Sequence, residues 1–91
     1  MQLPEHATLE QAAELAAMLP AAVAEGTGVL QIDAGALKSY DSSTLALLMQ
    51  AHRLAQGAGR GIEVTGAPAQ LVQLAQLYGV EELLGIKPTP A

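Results

Sequence analysis

The stretch VLQIDAGALKSYDSSTLALL, from Val29 to Leu48, decides the fold. Val29 to Asp33 is short, β-branched in part and flanked by Gly28 and Gly35, so it reads as a central strand. Asp41 and Ser42 then offer capping oxygens ahead of a helical run from Leu45 to Gln56, which Gly57 and Gly59 end. A strand handing over to a capped helix is the repeating half of an α/β layer.

The same alternation continues on both sides. Upstream, Thr8-Leu9-Glu10-Gln11 has the S/T-x-x-E/Q spacing of a capping box, with the Thr8 hydroxyl expected to accept from the Gln11 amide. An alanine-rich helix follows to about Glu25, with Leu9, Ala12, Ala16, Leu19 and Val23 near one stripe and Gly26 as its stop. Pro20 should kink that helix or restart it. Downstream, Gly61 to Thr65 alternates as a strand ending at Gly66, and Pro68 opens a helix through Tyr78. Leu71, Leu74, Ala75 and Tyr78 form its stripe, and Gly79 caps it. Val80 to Leu84 makes one more helical turn, Ile86 adds an edge strand, and Met1-Gln2-Leu3 supplies a further one. This order implies right-handed crossovers and parallel pairing. The expected fold is α/β: a small sandwich with a mixed sheet of three to five strands and helices packed on it. The expected organisation is one domain over residues 1–91, with a core from about 8 to 86 and a frayed tail from 87 to 91.

Composition narrows the function. Hydrophobic residues are 51% and charged residues 14% of the 91, which suits a globular chain. Tyr40 and Tyr78 are the only aromatics, so stacking platforms for single-stranded nucleic acid are all but excluded. The net charge of -5 sets nine acids against Lys38, Arg53, Arg60 and Lys87, too few and too scattered for nucleic acid or a polybasic membrane anchor. The absence of cysteine removes disulfides, thiolate metal sites and thiol nucleophiles. Glu5 and His6 stand where a signal peptide would be basic, and the longest uncharged stretch, Val64 to Val80, is broken by Gly66 and Pro68. A soluble, cytoplasmic protein is expected.

No catalytic constellation stands out. Phosphate-binding and dinucleotide glycine motifs are missing, and Ser42 and Ser43 lack the G-x-S-x-G turn of an exposed nucleophile. His6 and His52 lie in different elements without carboxylates at ligand spacing, so no metal and no cofactor is expected. The informative segment is Tyr40-Asp41-Ser42-Ser43-Thr44-Leu45. Unpaired amides and the positive end of the helix dipole meet there, so a phosphate on Ser42 or Ser43 would find donors. The plainer reading is that Asp41 and Ser42 only cap the helix. At 100° per residue, Leu47, Leu48, Ala51, Leu54 and Ala55 share the core face, whereas Leu45, Met49 and Arg53 fall opposite. Apolar side chains off the core stripe suggest a docking surface, unless a neighbouring element covers them.

These pieces together resemble the STAS domain, found in anti-sigma-factor antagonists, sulfate transporters and the MlaB subunit of a bacterial lipid ABC transporter. The resemblance runs from about Thr8 to Leu84 and rests on the strand Val29 to Asp33, the D-S-S-x-L-x-L-L helix start at Asp41 to Leu48, and the closing run Leu74 to Leu84. That last run, L-A-x-L-Y-G-V-x-x-L-L, looks most like MlaB proteins. In the family, a Ser or Thr just after this Asp is the phosphorylated or otherwise critical position, which carries over to Ser42 and Ser43. Thr44 stands where members usually have Gly, a residue that lets a partner approach the backbone closely. Thr44 and the Leu77-Tyr78-Gly79-Val80 ending both point to the transporter branch. The resemblance implies a non-enzymatic subunit that binds an MlaF-like transporter ATPase, held at the inner membrane through it, in the movement of phospholipids that keeps the outer membrane asymmetric. The partner surface would comprise Tyr40, Asp41, Ser42, Ser43, Thr44, Leu45, Met49 and His52. The alternative is an anti-sigma-factor antagonist-type phosphoswitch, with a serine kinase or anti-sigma factor as partner. A homodimer through a free sheet edge is conceivable for either.

Overall fold

A computed structural model describes residues 1–88. The strands are short: β1 (His6–Ala7), β2 (Leu30–Asp33), β3 (Ser39–Tyr40), β4 (Ile62–Ala67) and β5 (Ile86–Pro88). The helices α1 (Leu9–Ala24), α2 (Ser42–Gly57) and α3 (Ala69–Leu77) fall between them. The α/β expectation holds.

β2, β4 and β5 form a parallel sheet in that order, with Leu30 opposite Ile62 and Asp33 opposite Thr65. β1 and β3 pair in parallel as a second, two-stranded sheet. The first residues join the two: Leu3 N donates to Asp33 O (2.8 Å), Asp33 N to Met1 O (2.8 Å), and Lys38 N to Glu5 O (2.7 Å). Residues 1–7 thus run along 31–40 as one interrupted edge, in which Met1-Gln2-Leu3 meets β2 through an isolated parallel bridge, Gln2 to Asp33, and is not a full strand. Every named pairing among the described residues is parallel, and the antiparallel member of a mixed sheet is not among them. The physical reason is connectivity: no tight hairpin joins neighbouring strands, and a parallel pair needs a long crossover, here a helix.

The strand order advances one way across the sheet, so right-handed crossovers lay all the helices on one face. Burial agrees: Leu30 and Ile32 are buried while Gln31 and Asp33 are exposed, and Ile62 and Val64 are buried while Glu63 and Thr65 are half-buried. The core lies between that face and the helices, with Leu3, Leu19, Ile32, Leu48, Val64, Leu71 and Leu84 almost wholly enclosed.

Several sequence expectations are corrected. α1 continues through Pro20, so the helix does not restart there. Its buried face is Leu15, Leu19 and Val23, spaced four apart, whereas Leu9 is 74% exposed at the first helical residue. The capping box at Thr8 and Gln11 forms as expected, with Gln11 Oε1 accepting from both the Thr8 amide (3.0 Å) and the Thr8 hydroxyl (2.8 Å). β4 runs on past Gly66, whose φ of 69° coincides with a register shift before Ala67. Tyr78 is 58% exposed because α3 ends one residue before it. β5 includes the backbone of Lys87 and Pro88, and residues 89–91 of the expected frayed tail lie outside the described residues.

Candidate functional site

Parallel strands all finish at one end of a sheet, and the helices that follow them begin there. β1 and β3 end side by side, so α1 and α2 start side by side as well. Asp41 sits at this junction. It is the N-cap of α2, with extended backbone (φ -151°, ψ -165°), and its Oδ1 accepts from Ser43 N at 2.8 Å. Its Oδ2 accepts from Leu9 N, the first residue of α1, at 3.4 Å. One carboxylate therefore receives amides from two helix starts, where both dipoles favour negative charge.

Thr44 completes the junction from inside. It is fully buried, its hydroxyl donates to Ala7 O at 2.7 Å, and the same oxygen accepts from Asp41 N at 3.1 Å. The end of β1 is thereby tied to the first turn of α2. Tyr40, half-buried, donates its hydroxyl to Gln70 Oε1 in the first turn of α3 at 3.4 Å.

The structure thus brings Tyr40, Asp41, Ser42 and Ser43 together at one end of the molecule. Ser42 is exposed, Ser43 half-buried, and Met49 and His52 are half-buried along α2. Two members of the expected partner surface belong elsewhere: Thr44 is 0% and Leu45 4% exposed, and Leu45 lies in the core cluster. The reason is the position of α2. It packs on α1 as well as on β4, so its buried arc extends from Leu47 round to Leu45 and exceeds the stripe of a helix on a sheet alone. Arg53 remains exposed. The solvent side of α2 is Ser42, Ala46 and Arg53, with Met49 at its border.

Sequence reasoning missed the groove where α1 meets α2. It holds about 390 Å³ and is lined by Leu9, Ala12, Ala13, Ala16, Ser43, Ala46, Leu47, Gln50 and Arg53. The small alanines of α1 leave this hollow, and only the pairing of two-residue strands brings the helices alongside. Those strands are too short to carry a periodicity signal. Among the described residues no group of His, Asp or Glu could hold a metal ion, and no helix is long and apolar enough to cross a membrane.

Residues 1–85 match the family model described as "Mlab, STAS domain". No curated protein sequence matches the chain.

Proposed function

The chain belongs to the STAS domain family, whose members are in general non-catalytic, and we propose that it is an MlaB-like subunit that binds and supports the ATPase of a phospholipid-moving ABC transporter. The observation carrying this reading is the junction at Asp41. The carboxylate is committed to two backbone amides, and the neighbouring Ser42 hydroxyl is presented outward on a capped, rigid helix start. Such a surface suits recognition by fit. Tyr40, Ser42, Ser43, Met49 and His52 meet the ATPase, with Asp41 and the buried Thr44 holding them in place. The hydroxyls serve as interface hydrogen bonders, and no phosphorylation is required. The protein is then cytoplasmic and peripheral to the inner membrane through its partner.

The test is co-purification with the co-expressed P-loop ATPase of such a transporter. Ser42→Glu and Met49→Glu each place a charge in the interface and should abolish the complex, with melting near wild type for Ser42→Glu and lowered for Met49→Glu, whose side chain packs partly against the core. Retention of the complex by both folded variants would refute the surface; a wild-type chain that fails to bind would refute the partner.

A phosphoswitch antagonist is the second reading, favoured by the exposure of Ser42 at the positive end of α2. Incubation with serine kinases and intact-mass measurement would then show one added phosphate, lost in Ser42→Ala.

A further inference from the structure

We propose that Leu77, Tyr78 and Leu83, rimmed by Glu81 and Glu82, form a second docking surface, for an amphipathic helix of another protein that carries Lys or Arg. The proposal is independent of the reading at Asp41: α3 starts at the end of the sheet where the strands finish and closes at the other, so the two surfaces lie at opposite ends.

Six large hydrophobic side chains are exposed among the described residues, and three of them fall between positions 77 and 83, at 78%, 58% and 46% exposure. This concentration has a local cause. α3 spends Leu71, Val72 and Ala75 on the core, which leaves Leu77 on its outer side, and the following turn anchors itself with the fully buried Leu84 while Leu83 faces out. The segment is also firmly held. Val80 N donates to Ala75 O (3.0 Å), Leu84 N to Val80 O (3.0 Å) and Ile86 N to Glu81 O (3.2 Å). Gln76 Nε2 fixes Glu81 Oε2 at 2.7 Å. A partner therefore orders little on binding, which is what gives an apolar patch useful affinity.

Charge selects the occupant. No ion pair to Glu81 or Glu82 is seen among the described side chains, and the partner of Glu81 is the neutral Gln76 amide. On a chain of net charge -5, an apolar cluster with an acidic rim complements an apolar ridge flanked by cations. The same charges disfavour the competitors. An anionic lipid surface repels Glu81 and Glu82. Two copies meeting through this patch would bring four glutamates together.

The test is a titration of the isotope-labelled protein, followed by amide shifts, with a synthetic helical peptide. The peptide carries Leu at i, i+3, i+4 and i+7 and Lys on its flanks; a second peptide has Glu for every Lys. Shifts confined to residues 77–85, with the Lys peptide alone binding, are the expected result. Leu77→Ser, and separately Glu81→Gln with Glu82→Gln, should each weaken binding about tenfold, whereas Ser42→Glu should leave it unchanged. Shifts centred on α2, equal binding of the Glu peptide, or no shift at millimolar peptide would overturn the proposal. So would self-association abolished by Leu77→Ser, which assigns the patch to a second copy, or co-sedimentation with vesicles rich in phosphatidylserine.

Discussion

Thr44→Val is the sharpest perturbation of the junction, because it keeps the volume and the β-branch and deletes only the hydroxyl. That oxygen donates to Ala7 O at 2.7 Å and accepts from Asp41 N at 3.1 Å in a side chain with no exposure. Each lost hydrogen bond that strands a buried partner costs about 1–3 kcal/mol. Asp41 N is only partly buried and regains water more easily, so the sum is set at about 2–4 kcal/mol rather than the full range. Thr44→Ser keeps both bonds and loses one methyl, which costs about 1 kcal/mol plus a small cavity penalty. Conversion at roughly 4–8 °C per kcal/mol gives a fall in Tm of about 8 °C or more for Val and about 4–8 °C for Ser. Urea titration and thermal melting followed by circular dichroism read both. The decisive quantity is the order of the variants. If valine, the better volume match, proves less damaging than serine, packing dominates and the hydrogen-bonded tie between β1 and α2 is refuted.

The other predictions follow from the same geometry. Asp41→Ala should destabilise by about 1–2 kcal/mol, since it removes the cap of α2 and the acceptor for Leu9 N, and Asp41→Asn by less; thermal melting distinguishes them. Arg60→Gln should cost about 1–2 kcal/mol in urea titrations, because its guanidinium donates to Val23 O (2.7 Å) and Gly28 O (2.9 Å) and closes the C-terminal end of α1. Gly85→Ala should be far worse than Gly79→Ala although both have positive φ (59° and 71°): the new methyl at 85 would stand 2.5 Å from Ile62 O, whereas that at 79 meets nothing. Comparable melting temperatures for these two variants would contradict the packing of β5 on β4.

Most of the architecture was legible because its signals are local. The alternation of Leu30 to Asp33 and of Ile62 to Thr65 survives only because the helices cover one sheet face and leave the polar residues outside. The D-S-S segment announced a helix start, and Asp41 caps it. Thr44 and Leu45 could not be read, because their burial is set by what lies beside α2, and a single helix pattern contains no record of its flanks. β1 and β3 escaped for a different reason: two residues are shorter than any period, and their pairing exists because residues 1–7 follow the edge of the sheet. Leu9 and Leu15 exchanged roles because an alanine-rich helix offers several stripes of nearly equal hydropathy, and only packing chooses among them.

The Asp41 junction also fixes what either reading of the candidate site requires of a partner. Amides at both helix starts already point at a carboxylate, so an incoming phosphate or acidic side chain competes with Asp41 instead of filling an empty cradle. A phosphate on Ser42 or Ser43 would add about -1.5 to -2 charges beside that carboxylate. The repulsion acts on a group that also holds Leu9 N, so the strain would pass to α1 and to the alanine-lined groove between the helices. A partner that reads only hydroxyls leaves this tie intact. The two readings therefore differ in the Leu9 amide: phosphorylation should speed its hydrogen exchange, and binding of an ATPase through Ser42 and Met49 should slow it or leave it unchanged.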